Sequence, residues 1–135
     1  MNIAARISAD ELFTEADVGR HFPWADICQI HRSRNGTLIS LLTDFGKINP
    51  MYPDFHGETL NTVHYTGSGR RGDQKLDLAN RAMIDAIGSG IEVPLFNKHG
   101  VNRWEFLGNW SVKDARYIYD ETSERMVWKF RLERS

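Results

Sequence analysis

Apolar positions along the chain follow two spacings. In 125–133, Arg-Met-Val-Trp-Lys-Phe-Arg-Leu-Glu, Met126, Trp128, Phe130 and Leu132 recur every second residue, the period of a strand. Strands are likewise expected at 91–97 and 104–119, the latter bent at Gly108, with Asp-Glu-Thr-Ser-Glu at 120–124 as the turn into the last strand. Earlier, 24–32 (with Ile27 and Ile30 apolar), 37–43 and 62–66 read as strands, and Asn35-Gly36 is the pair that closes a tight hairpin. Helical spacing occurs twice. Leu76, Ala79, Met83 and Ile87 share one face of a central helix stopped by Gly88 and Gly90. Residues 8–20 open with Ser8 and Glu11 as a capping box, predicting a peripheral N-terminal helix that Gly19 ends. Residues 44–61 form a long Pro- and Gly-bearing loop, and a loop of that length inside a compact domain is usually functional or disordered; Phe45, Tyr52 and Phe55 argue against plain disorder. The order predicts an α+β domain: a curled, mainly antiparallel sheet or partly open barrel, with one central helix and an N-terminal helix.

Composition narrows the function classes. The 135 residues suit one domain, 1–135, with 1–22 as a peripheral N-terminal helix. No run is long and apolar enough to span a membrane, so a cytoplasmic, nucleoid-associated location in a bacterium is the expectation. Cys28 is the only cysteine, which excludes an intrachain disulfide and a multi-cysteine zinc site. A net charge of −1 disfavours nonspecific coating of nucleic acid. Residues 1–30 hold two basic and five acidic residues, leaving 15 of the 17 basic and 13 of the 18 acidic residues for the rest. A local basic patch is thus available there.

The segment 64–83 reads strand, glycine loop, helix. Its glycines permit close backbone approach. Arg70, Arg71 and Lys75 gather at the loop and the helix start, a place where phosphate can bind. The Gly-Lys-Ser/Thr ending of a triphosphate-binding loop is missing. From residue types alone, a solvated turn with ordinary charges is the simpler reading.

Several spaced motifs, in order, carry a more specific reading. They are Ile30-His31 with Arg34-Asn35-Gly36; Tyr65-Thr66-Gly67-Ser68-Gly69; Asp73-Gln74-Lys75-Leu76; Asn80-Arg81-Ala82; Gly90-Ile91-Glu92-Val93; Phe106-Leu107-Gly108-Asn109-Trp110-Ser111-Val112; and Val127-Trp128-Lys129-Phe130-Arg131-Leu132-Glu133-Arg134. Across roughly 27–134 the chain resembles the SRA (SET and RING-associated, YDG) domain, a member of the PUA-like superfamily. The resemblance implies recognition of 5-methylcytosine or 5-hydroxymethylcytosine in double-stranded DNA by base flipping, the base stacked between aromatic rings and its Watson–Crick edge held by a carboxylate and backbone groups. It implies Tyr65 as one stacking ring and Thr66 as a contact to the base. The second ring and the carboxylate come from the preceding loop, where this chain departs from the family's Gly-Gly-Tyr-x-x-Asp: Tyr52 and Phe45 compete for the ring, Asp54 and Asp44 for the acceptor, with Tyr52 and Asp54 preferred. A carboxylate suits the role because it accepts from the cytosine N4 amine. Ile27, Cys28 and Gln29 match the loop whose side chain fills the vacated space, with Gln29 facing the orphaned base. Arg70, Arg71 and Lys75 would hold phosphates, with Arg32 and Arg34 beside the inserting loop. Asp73 and Asn80 are expected to fix the loop-to-helix geometry, and Trp104, Trp110, Trp128 and Phe130 to lie in the core.

A second departure is length. Only Arg70-Arg71-Gly72 stands where animal members carry a long basic finger, so reading of the opposite strand is not expected. The compact form is similar to the modules of bacterial modification-dependent restriction systems, which implies a covalently linked or partner nuclease domain of the HNH type. The chain ends directly after its last strand, as expected of a module from a longer nuclease. No histidine pair, Asp…Glu-x-Lys core or nucleophile with a base partner is evident, so the domain itself is expected to be noncatalytic, with no metal and no cofactor. The competing readings are a PUA-like RNA-binding domain or small enzyme, which would stack exposed aromatics on unpaired bases, and a stand-alone inhibitor using the fold as an interaction surface.

Overall fold

The structure is a computed structural model that describes residues 12–13, 30–47, 52–100 and 103–135. Among the described residues there are eight strands, β1 (Leu12–Phe13), β2 (Ile30–Arg32), β3 (Leu38–Thr43), β4 (Phe55–His56), β5 (Thr62–Thr66), β6 (Val93–Gly100), β7 (Arg103–Asp120) and β8 (Arg125–Arg134), and one helix, α1 (Leu78–Ala86). They form one sheet in the order β2-β3-β6-β7-β8-β5-β4, with β1 added on β7. Every pairing is antiparallel except β3 with β6. This is the curled, unclosed, mainly antiparallel sheet that the strand order implied.

The local reasons are legible. Gly36 adopts φ +91° and closes the β2–β3 turn, with its N–H on the Ser33 carbonyl at 3.0 Å. Gly108 takes φ +96° within the 18-residue β7, and the register slips again between Val112 and Asp114; such irregularities bend a strand and increase its twist. Helix α1 starts later than the apolar spacing suggested. Asp77 is its N-cap, accepting from the Asn80 N–H at 2.8 Å, so Leu76 lies outside the helix and is exposed. Of the predicted helix over 8–20, only Leu12–Phe13 are described; these two pair with β7 as a strand, and the remainder lies outside the described residues.

The helix packs on β7, β2 and β3, covering the inner face of the sheet. Val63, Tyr65, Met83, Leu95, Trp110, Phe130 and Leu132 form the core there. Trp104 is buried as well, and Trp128 is half-buried against the core. No helix among the described residues is long and apolar enough to cross a membrane. Met83 is fully buried and joins the helix to the sheet. Met83→Ala is expected to lower the unfolding free energy by about 2–5 kcal/mol, since a cavity would be left behind. A urea titration reads this as a lower midpoint with an unchanged slope; an unchanged midpoint would contradict the packing described.

Candidate nucleic-acid interface

The ends of β3 and β5 are bridged through Asp54, and the sequence candidates for the base pocket lie there. The Tyr65 hydroxyl donates to the Leu42 carbonyl at 2.7 Å. One residue on, the Thr66 N–H donates to Asp54 Oδ1 at 2.5 Å, while the Thr43 hydroxyl donates to Asp54 Oδ2 at 2.5 Å. The Asp54 carboxylate therefore ties the loop before β4 to both strands. Each of its oxygens accepts one of these two bonds, and an ionised carboxylate offers about four acceptor sites. Burial pushes Asp54 up to about 6, against the hydrogen bonds from Thr43 and Thr66 and the Lys129 charge, which favour the carboxylate.

The other loop candidates surround this pair. Asp44 is buried, but its Oδ1 accepts from the Gly46 N–H at 2.7 Å and closes a turn. Phe45, at φ +53°, donates its N–H to Thr43 Oγ1 and stacks its ring on His56 with centroids 4.7 Å apart. Tyr52 is half-buried, and its carbonyl accepts from the Asp54 N–H. Of the two aspartates, Asp54 is thus the one bonded to the Tyr65-Thr66 motif. Tyr65 and Thr66 have no exposed surface. The tyrosine ring is a wall of the core with its inner side already packed.

The glycine loop is built as a rigid bracket. Gln74 is buried; its amide donates to the carbonyls of Gly67 and Gly69, and its Oε1 accepts from the Trp128 N–H. Asn80 Oδ1 accepts from the Ser68 N–H, and its amide donates to the carbonyls of Ser68 and Lys75. Asp73 accepts from the Met126 N–H, and Arg125, also buried, donates to the carbonyls of Gly69 and Gly72. Asn80 holds the loop to the helix, as expected, whereas Asp73 ties the loop to the start of β8. On the rim of this bracket Arg70, Arg71 and Lys75 are exposed. The helix start beside them is different from expectation: its first turn is capped by the acidic Asp77, which leaves the three cations as the positive groups of that rim. Arg34 is exposed in the β2–β3 turn and Arg32 is half-buried on β2, a separate edge of the sheet. Ile27, Cys28 and Gln29 lie outside the described residues.

Sequence reasoning missed three participants. Lys129 reads as the polar member of an alternating strand, yet it is only 8% exposed, and its ammonium donates to Thr66 Oγ1 at 2.6 Å and the Pro53 carbonyl at 2.8 Å. Phe55 is half exposed, stacked on His64 at 4.9 Å, with Lys129 Nζ 5.2 Å from its ring centre. These residues, with Arg116, Ile118 and Arg131, line an open groove of about 290 Å³ on the outer sheet face. A lone lysine between Trp128 and Phe130 was the available signal. Among the described residues, no group of three or more His, Cys, Asp or Glu is placed to hold a metal ion.

Comparison with known proteins follows the same geometry. A family model described as ScoMcrA-like, SRA domain, matches residues 16–133. The SUVH5 SRA domain, solved with hemi-methylated CG DNA, superposes with a TM-score of 0.76 at 20% identity, over 95% of this chain and 87% of that one. The modification-dependent restriction endonuclease TagI superposes with a TM-score of 0.76 at 16% identity, over 95% of this chain and 50% of that one. SUVH5 SRA bound to fully hydroxymethylated CG DNA gives 0.71 at 19% identity, over 93% and 87% of the two chains. At these identities the likenesses show the fold. No curated protein matches the sequence.

Two outcomes test the geometry. A Cβ on Gly67 would meet Asn80 Oδ1 at 2.6 Å, the Trp128 Cβ at 2.8 Å and Gln74 Oε1 at 2.9 Å, so Gly67→Ala is expected to cost about 1–3 kcal/mol by overpacking, measured by urea unfolding. Asp54 holds its proton to about pH 6 when folded, against 3.8 for the ordinary group. Its contribution to stability is full below the lower value and is lost as pH rises through the higher one. The stability difference between wild type and Asp54→Asn should therefore shift against wild type between about pH 4 and 6; a difference independent of pH would contradict the burial described.

Proposed function

The chain belongs to the ScoMcrA-like SRA domain family, and from that premise we propose that it reads a modified cytosine in duplex DNA by drawing the base out of the helix to the ends of β3 and β5. The observation that carries this is the Asp54 carboxylate, buried and bonded to the Thr66 N–H of the Tyr-Thr-Gly-Ser-Gly motif. An ionised carboxylate at that position accepts from the exocyclic amine of cytosine, which thymine lacks.

Flipping a nucleotide costs a few kcal/mol in lost stacking and pairing. Hydrogen bonds to a charged group return about 1.5–3 kcal/mol each, and aromatic stacking about 1–3 kcal/mol per base. Tyr65 supplies one ring from the core, while Phe45 and Tyr52, both half-buried, are the candidates for the second. Tyr65 and Thr66 have no exposed surface, so a base that reaches them displaces what packs on them. Arg70, Arg71 and Lys75 then hold phosphates on one side, with Arg32 and Arg34 beside the inserting loop formed by Ile27, Cys28 and Gln29.

The domain is a reader and not a catalyst, and it works at DNA in the bacterial cytoplasm, at the nucleoid. TagI, of which this chain matches half, is a modification-dependent restriction endonuclease; SUVH5 SRA has been solved with methylated and with hydroxymethylated DNA. By that analogy the reader directs a linked or partner nuclease domain, of the HNH type, to modified DNA.

Fluorescence anisotropy with matched duplexes carrying cytosine, 5-methylcytosine or 5-hydroxymethylcytosine, at one salt concentration, tests the reading. Tighter binding to a modified duplex is expected, and Asp54→Ala should weaken binding to that duplex by about ten-fold or more. Equal weak binding to all three contradicts the reading and directs attention to single-stranded RNA. The double variant Arg70→Gln, Arg71→Gln should weaken all three duplexes alike and reduce the slope of log K against log salt by about two; an unchanged slope would remove both arginines from the DNA surface.

A further inference from the structure

Lys129 is a buried cation that this reading leaves without a role. It projects from β8 on the face opposite the core residues Trp128 and Phe130, and its ammonium is bonded to Thr66 Oγ1 and the Pro53 carbonyl. Thr66 in turn gives its N–H to Asp54, and Pro53 is the residue before Asp54 in the chain. One ammonium thus fixes both sides of the carboxylate: the strand that donates to it and the loop that carries it. The groups that face Asp54 are Thr43 from β3, Thr66 from β5 and Lys129 from β8. The charged groups that face Lys129 are Asp54 and, from the end of β7, Asp120. Asp120 is itself bonded to the N–H and hydroxyl of Ser123.

The chemical problem at such a pocket is thymine. Thymine carries the same methyl group at C5 as 5-methylcytosine and differs on its edge, where a carbonyl acceptor replaces the amine donor. A pocket that senses only the methyl group admits both. An ionised carboxylate admits the amine and repels the carbonyl oxygen. A protonated one donates, and so favours the carbonyl. The protonation state of Asp54 is therefore a choice between the two bases.

We propose that Lys129 is the positioning residue that sets this choice, holding Asp54 in its accepting form so that the pocket takes an amino-bearing 5-methylcytosine and rejects thymine. This rests on the reader function above and deepens it. Burial drives Asp54 towards the neutral acid; the hydrogen bonds from Thr43 and Thr66 oppose that drift most, and the Lys129 charge adds to them while its ammonium holds Thr66 and Pro53 in place. Removing the charge while keeping a hydrogen-bond donor should then move the loss of discrimination to higher pH.

The experiment compares binding to two duplexes, one with 5-methylcytosine opposite guanine and one with thymine at the same position, from pH 5 to 8 at constant salt. A mismatched base flips more easily, but that advantage does not vary with Asp54. Wild type should favour 5-methylcytosine about ten-fold or more at high pH, with the ratio falling as pH drops through about 6. Lys129→Gln should show the same fall displaced to higher pH, and Lys129→Arg should restore the wild-type profile. A Lys129→Gln profile that overlays wild type, or a Lys129→Arg profile that follows Lys129→Gln, overturns the proposal. A wild-type ratio constant over the whole range overturns it without any variant, should Lys129→Gln fail to fold. Wild type that binds 5-methylcytosine and unmodified cytosine equally removes the reader function itself, which is a different failure.

Discussion

A buried glutamine amide holds the functional end of this domain together. The loop after β5 passes beneath the start of β8 with no regular partner for its carbonyl groups, and a buried carbonyl left unbonded is costly. Gln74 satisfies two of them and closes its own loop on the Trp128 N–H. The fit leaves no space at residue 67, which is why glycine stands there. Arg125 and Asn80 satisfy further carbonyls of the same loop. The bracket fixes where β5 ends, and so where the Thr66 N–H points.

From that fixed point the candidate pocket follows. Thr66 presents its N–H to Asp54 and its hydroxyl to Lys129. A carboxylate and an ammonium are thereby buried on either side of one threonine, each hydrogen-bonded, which is the condition under which buried charge is tolerated. The loop between β3 and β4 contributes Phe45 stacked on His56, along with the half-buried Tyr52. Asp54 and Pro53 fasten that segment to β3, β5 and β8.

Much of this was legible in the sequence, because the informative features were local. β5 was read with the bounds it has, since alternation and a glycine run mark both its ends. The resemblance of the glycine motif points to Asn80 as the residue that fixes the loop on the helix, and its three bonds to Ser68 and Lys75 do so. Asp54 was preferred over Asp44, and the structure bonds Asp54 to the motif while Asp44 closes a turn. What was missed depends on tertiary coverage. Alternation assigns Lys129 to the face away from Trp128 and Phe130, but it cannot report that this face is covered too. The two-residue β4 is too short to carry a period. The apolar spacing starts the helix two residues early because Leu76 continues it, while the Asp77 cap decides the start. Tyr65 was identified by its motif, but its complete burial depends on packing from β3, β8 and the helix, which no local pattern contains.

The most direct measurement is a crystal structure of the chain with a short duplex carrying a single 5-methylcytosine. The account predicts that the modified base is outside the helix, with its N4 amine within hydrogen-bond distance of Asp54. A complex in which that base remains stacked and paired, or is extruded against a different surface with Asp54 still covered, would contradict it.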